Sequence, residues 1–330
     1  MVAIAAHDTA VPGENSMTSP NDPTSPSGRL AGVIPPVITP LTEDRDLDEA
    51  SLERVIERLI RAGVHGVFAL GTTGEGVFCT DAMRRRVISA VVSAVGGRVP
   101  VLAGVIDTQT ARVVEHIEVA AGLGVDGVVA TAPFYAFTPP RQVERHFEIL
   151  GERSPVPVYA YDMPAAVHTK LDPDMLVRLG RAGAIAGVKD TSGDDASFRR
   201  LALLNADAGR PLSLLTGHEA VVDGAYLSGA DGVVPGLGNL DPAGFVRMHA
   251  AARAGAWEAL REEQNRLVRL REIFLVPRIA GWGAAVGAVK TALRILGVIA
   301  SSQLPAPFEA LSSADEARIR AILAEVGPDD

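Results

Sequence analysis

The chain has 330 residues, 47% of them hydrophobic, and carries 40 acidic against 31 basic side chains, for a formal net charge of -9. That surplus of negative charge argues against nucleic acid or an anionic membrane as the main partner, and no apolar run approaches the ~20 residues of a membrane span. The single cysteine, Cys79, excludes an internal disulfide framework and fits a reducing compartment, so a cytoplasmic location is expected.

Residues 1–28 are rich in Pro, Ser, Asn, Asp and Gly and show no apolar periodicity. Their opening MVAIAA is too short for a signal-peptide core and lacks a basic start. A disordered extension is expected there, with a functional tail as the other reading. From residue 32 onward, β-rich apolar runs alternate with segments of helical period. The runs are GVIPPVIT (32–39), GVFAL (66–70), VPVLAGV (99–105), GVVAT (127–131), VPVYAYD (156–162), AIAGVKD (184–190), LSLLT (212–216) and GVVPG (232–236). Helical patterns between and after them include 47–62, 81–95, 108–123, 141–151, 172–182 and 241–254. Eight strands with intervening helices are what a (β/α)8 TIM barrel requires. A doubly wound open sheet is the alternative, but no GxGxxG turn follows the first run. Three more helical patterns, 257–275, 281–296 and 313–326, suggest a C-terminal helical appendage, and Ser313 and Glu316 stand at capping-box spacing. The expected division is therefore an extension over 1–28, a barrel over 29–255 and a helical region over 256–330.

In such a barrel the reactive groups sit at the C-terminal ends of the strands and in the loops that follow. The second run leads into GTTGEG (71–76), the fourth into TAPFY (131–135), and the fifth ends in Tyr161 and Asp162. The sixth ends in Lys189, and the seventh leads to Gly217, His218 and Glu219. The glycines and threonines of GTTGEG can form a nest of N–H and hydroxyl donors for a small anion. It has no Gly-Lys-[Ser/Thr] of a nucleotide loop, which favours a carboxylate over a phosphate; a plain turn is the other reading. Desolvation disfavours an ammonium, and a neutral lysine amine condenses with ketones to form an imine. Lys189 could serve so, or could be a solvated rim lysine paired with Asp190. Tyr161 on the preceding strand could shuttle protons for that imine, or could be a satisfied core tyrosine.

GTTGEG, APFY, YDMP and GVKDTSGD, in that order, resemble the dihydrodipicolinate synthase / N-acetylneuraminate lyase family of class I aldolases. The likeness extends over about residues 30–300, from IPPVITPLTEDRDLD to VKTALRILG (289–297). It implies a barrel with a C-terminal helical region, a homotetramer built as a dimer of dimers, and neither metal nor organic cofactor. It implies that Lys189 forms a Schiff base with pyruvate or another 2-oxo acid and that Tyr161 transfers protons. Thr72 and Thr73 fall on the positions that bind the pyruvyl carboxylate and help to relay protons. Tyr135 matches a tyrosine that reaches into a neighbouring subunit's site. Gly74, Thr191 and Val234 complete the expected substrate-binding set, together with His168 and Glu219 as polar contacts.

Departures from the family bear on the substrate. Ala166 stands where the synthase branch has an arginine for a second carboxylate, and Ala220 and Gly236 replace two polar partners of sialic acid cleavage. A small apolar rim at Ala165, Ala166 and Val167 remains. His168 could contact substrate or cap its loop, Glu219 could bind a hydroxyl, and Thr191 could bind a hydroxyl or close a turn. The reading is a Schiff-base lyase or aldolase joining or parting pyruvate and an aldehyde, with a 2-keto-3-deoxy sugar acid as the expected substrate class. The alternatives are a dehydratase using the same imine, a synthase-like condensation, and a barrel that binds a 2-oxo acid without turnover.

Overall fold

In chain order, the computed structural model, which describes residues 29–276 and 281–328, begins with β1 (Gly32–Val33), α1 (Glu49–Arg61), β2 (Val67–Ala69), α2 (Asp81–Val95), β3 (Val101–Gly104), α3 (Thr110–Gly122) and β4 (Gly127–Thr131). There follow α4 (Pro140–Arg153), β5 (Val158–Asp162), the short α5 (Pro164–Val167), α6 (Pro173–Arg181), β6 (Gly187–Asp190), α7 (Asp195–Asp207) and β7 (Ser213–Thr216). The chain then forms α8 (Val222–Ser228), β8 (Gly232–Val233), α9 (Pro242–Arg253), α10 (Trp257–Leu270), α11 (Trp282–Ile295) and α12 (Ser313–Val326). The expected N-terminal extension, 1–28, lies outside the described residues. Among those that are described, no helix is long and apolar enough to cross a membrane.

The strands are all parallel, in the order β1-β8-β7-β6-β5-β4-β3-β2. The two edges meet where Phe68 N–H donates to Pro35 O (3.0 Å) and Val37 N–H donates to Phe68 O (2.9 Å), which curls the sheet into the expected barrel. Every strand residue is buried, as parallel strands covered on both faces require. Ile34, Phe68, Leu102, Val129, Tyr159, Tyr161, Leu215 and Val234 pack together in the barrel interior. The alternate strand residues pack under the helices; on α1, Leu52, Val55, Ile56 and Leu59 form the buried stripe.

Seven of the eight expected runs shorten, only 127–131 keeping its full length, and in two of them prolines are the cause. The run 32–39 keeps only Gly32 and Val33 in the ladder because Pro35 and Pro36 have no N–H to donate, and 232–236 stops at Val233 just before Pro235. At that seam the backbones are so close that a Cβ on Gly232 would lie 2.2 Å from Gly32 O. The cap of α12 also moves by one residue. Ser312, not Ser313, is the N-cap, accepting from Asp315 N–H at 3.2 Å and donating its hydroxyl to Asp315 at 2.7 Å. Glu316 is released to pair with Arg294 and Arg320.

Candidate active site

Strand register brings the chemistry together. Thr131 pairs with Tyr161, Tyr161 with Lys189 and Lys189 with Leu215, so the four share one layer and one face of the sheet. Tyr161 and Lys189 are 2% and 4% exposed. Lys189 Nζ stands 4.0 Å from the centroid of the Tyr161 ring and 4.9 Å from that of Phe68, both faces that attract a cationic nitrogen. The Tyr161 hydroxyl meets Thr72 Oγ1 at 3.1 Å. One position on, Asp162 and Asp190 turn to the opposite face. There Lys170 pairs with Asp162 and lies 3.8 Å from Asp190. The rim-lysine reading of Lys189 therefore fails: it is buried, and Asp190 faces Lys170. Burial pushes the Asp162 carboxyl up to about 6, against the opposing pull of the Lys170 hydrogen bond. Asp190 also accepts from Ser192 N–H at 2.7 Å and so shapes the turn after Lys189.

The loop after β2 is a closed turn. Glu75 N–H donates to Thr72 O (3.2 Å), Gly76 N–H to Gly71 O (3.3 Å), and the Thr39 hydroxyl to Gly74 O (2.7 Å). Leu70 and Glu75 hold left-handed φ values of 56° and 59°. A side chain at Gly76 would lie 2.2 Å from Leu70 O, and one at Gly74 would lie 2.7 Å from Val37 O, so the loop passes hard against backbone. This turn presents Thr72 toward Tyr161 and Thr73 toward the loop after β8: a Cβ on Gly236 would lie 3.1 Å from both Thr73 Oγ1 and Glu219 Oε1.

The other expected residues divide. Glu219 Oε1 accepts from the N–H groups of Gly236 and Leu237, tying the loops after β7 and β8, while its buried Oε2 has no partner. Burial pushes this carboxyl upward. Thr191 N–H donates to Asp162 O (2.9 Å), and its buried hydroxyl also has no partner. Gly217 lets these residues approach: a Cβ there would lie 2.2 Å from Thr191 Oγ1 and 3.4 Å from Lys189 Cε. Val234 is a buried wall residue of the barrel interior. His168 is exposed with φ 56°, and its N–H caps α5 by donating to Pro164 O (2.9 Å). Tyr135 stands away from this cluster, 97% exposed with φ 77°, and Phe137 near it is 89% exposed. Sequence reasoning missed Phe68 and Lys170. Phe68 could have been found by strand alternation, whereas nothing local marks Lys170. Among the described residues, no group of three or more His, Cys, Asp or Glu side chains is placed to hold a metal ion.

Comparison with known proteins places the chain among relatives of one family and fold. The model of the dihydrodipicolinate synthetase family matches residues 29–326. An uncharacterised DapA-like lyase of Halobacterium salinarum is 34% identical over 299 residues, 90% of this chain and 94% of the relative. A 4-hydroxy-tetrahydrodipicolinate synthase of Phenylobacterium zucineum is 30% identical over 298 residues, 90% and 97% of the two chains. Among solved structures, dihydrodipicolinate synthase of Bacteroides thetaiotaomicron superposes with a TM-score of 0.84 at 31% identity, over 89% of this chain and 98% of the other. A prophage protein of E. coli K12, solved in complex with pyruvate, gives 0.85 at 27% identity, over 90% and 98%. With the barrel, its buried lysine and tyrosine and these relatives in view, the chain belongs to the dihydrodipicolinate synthetase family of pyruvate-dependent lyases and synthases.

Proposed function

We propose that the protein is a Schiff-base lyase or aldolase acting on a 2-keto-3-deoxy sugar acid, making or breaking the bond between pyruvate and an aldehyde. The observation that carries this reading is the buried Lys189 amine beside Tyr161, whose hydroxyl meets Thr72 Oγ1 at 3.1 Å. The amine attacks the C2 carbonyl carbon of the 2-oxo acid. Tyr161 moves the protons that convert the carbinolamine to an imine, and water leaves. In the protonated imine, the electron pair of the C3–C4 bond flows toward the nitrogen as the C4 hydroxyl loses its proton. The aldehyde departs and an enamine remains. Protonation at C3 and hydrolysis then release pyruvate and the free lysine. The substrate carboxylate lies on the nest of Thr72, Thr73 and Gly74, whose donors are fixed before it arrives.

The substrate class rests on polar atoms left open. Glu219 Oε2 and Thr191 Oγ1 are buried at the mouth without partners, and buried polar atoms ordinarily have them. A hydroxylated chain supplies such partners. The rim residue Ala166 offers no cation for a second carboxylate, which disfavours a synthase-like condensation. Incubation with pyruvate and borohydride should add a reduced pyruvyl mass to Lys189, and a screen of keto-deoxy acids should show pyruvate release. An unmodified Lys189 in folded protein would overturn the imine reading. Trapping without release from any acid tested would favour binding without turnover.

A further inference from the structure

We propose that Lys290, on α11 in the C-terminal region, is a positioning residue of the reaction: its ion pair with Glu75 holds the carboxylate turn in shape. The proposal rests on the Schiff-base reading above. Lys290 is 0% exposed and Glu75 2%, and Nζ lies 2.5 Å from Glu75 Oε2 and 2.9 Å from Gln303 O. Glu75 Oε1 is buried with no partner, so Lys290 is the cation on which this carboxylate depends.

Glu75 does two things for the turn. Its N–H closes the turn on Thr72 O, and its backbone sits at φ 59°, a left-handed state that a non-glycine residue adopts only when its surroundings enforce it. Beside local contacts such as the Phe78 N–H that donates to Glu75 O at 2.9 Å, others come from the far end of the chain. Besides Lys290, the Phe78 ring packs tilted against Trp282 (ring centroids 4.5 Å apart) and edge-to-face against Phe308 (5.1 Å), pinning the residues after Glu75 to the start of α11 and the segment that follows it. Releasing the ion pair leaves a buried carboxylate without its cation, which must take up a proton or turn toward solvent. Without that side-chain anchor the left-handed backbone of Glu75 is free to relax, and relaxation breaks its N–H contact with Thr72 O, which orders Thr72 and Thr73. The groups that grip the substrate carboxylate then lose their alignment, while Lys189, on β6, keeps its own strand pairing.

The test compares wild type with Lys290→Met and Glu75→Gln by borohydride trapping on Lys189. Two carbonyl compounds are titrated: pyruvate, and pyruvamide, which has the same shape without the negative charge. Wild type must trap pyruvate; if it does not, the Schiff-base reading fails and this inference falls with it. With wild type trapping, both variants should raise half-saturation for pyruvate at least about tenfold and that for pyruvamide less than about threefold. Should Lys290→Met not fold, as judged by circular dichroism, Glu75→Gln alone carries the measurement. An unchanged pyruvate half-saturation, or equal losses for both compounds, would overturn the positioning role while leaving the Schiff-base reading intact.

Discussion

At the scale of single residues, the site separates bond chemistry from recognition. Tyr161→Phe keeps the ring that flanks Lys189 but removes the hydroxyl facing Thr72. General acid–base groups contribute factors of ~10² or more, so kcat for pyruvate release should fall about 100-fold with unfolding temperature nearly unchanged. A kcat within a few-fold of wild type would exclude Tyr161 as the proton carrier. Glu219 divides its two oxygens between scaffold and mouth. Glu219→Gln retains an oxygen for the N–H groups of Gly236 and Leu237 but loses the anionic acceptor. We expect kcat/KM for a hydroxylated keto acid to drop about tenfold, since a hydrogen bond to a charged group contributes ~1.5–3 kcal/mol, while pyruvate trapping on Lys189 stays level. Equal loss in both assays would make Glu219 a structural tie alone. Lys189 and Tyr161 were legible in the sequence because each ends a recognisable run. The Lys290–Glu75 pair was not, since its partners stand 215 positions apart and only the fold joins them.

At the scale of elements, the strands were legible because parallel strands buried on both faces read as continuous apolar runs. The ends of β1 and β8 were not, because the prolines at 35, 36 and 235 interrupt the ladder without interrupting hydrophobicity. The α12 cap slipped for a similar reason: Ser312 and Ser313 are both competent caps, and geometry alone chose the first. A buried histidine on α4 gives these packed layers a pH dependence. His146 is almost wholly buried, its Nδ1 lies 3.0 Å from the Thr110 hydroxyl and its Nε2 has no partner. Burial pushes its pKa from 6.5 to about 4. Below about pH 6.5 the unfolded chain therefore binds a proton that the folded chain refuses until about pH 4. Stability falls through that window as pH falls, by at most about 1.4 kcal/mol per pH unit from this group. His146→Gln lacks this proton, so urea midpoints of wild type and variant should diverge between pH 7 and pH 4.5, with wild type losing more. Parallel curves would refute the assignment.

At the scale of the whole molecule, the subunit leaves Tyr135 and Phe137 with nothing to cover them. Two nearly bare aromatic rings on one loop are the kind of anchor that protein interfaces bury. The backbone of Tyr135 holds a left-handed φ of 77°, a state that costs ~1–3 kcal/mol. The family resemblance implies a homotetramer in which Tyr135 reaches a neighbour's site, and on that expectation a second copy of the chain takes this loop. Complementation between subunits tests all of this together. Lys189→Met has no amine but presents an intact Tyr135; Tyr135→Ala has the amine but no phenol to offer. Alone, Lys189→Met should be inactive and Tyr135→Ala only weakly active. Unfolded and refolded together, they form mixed assemblies in which a Lys189→Met subunit lends its tyrosine to a Tyr135→Ala neighbour. Pyruvate release should then exceed the sum of the two parents, and light scattering should give a mass near four times 34.5 kDa for wild type. A mass of one chain would dispose of the assembly. A tetramer whose mixtures give only the sum of their parents would confine Tyr135 to holding subunits together.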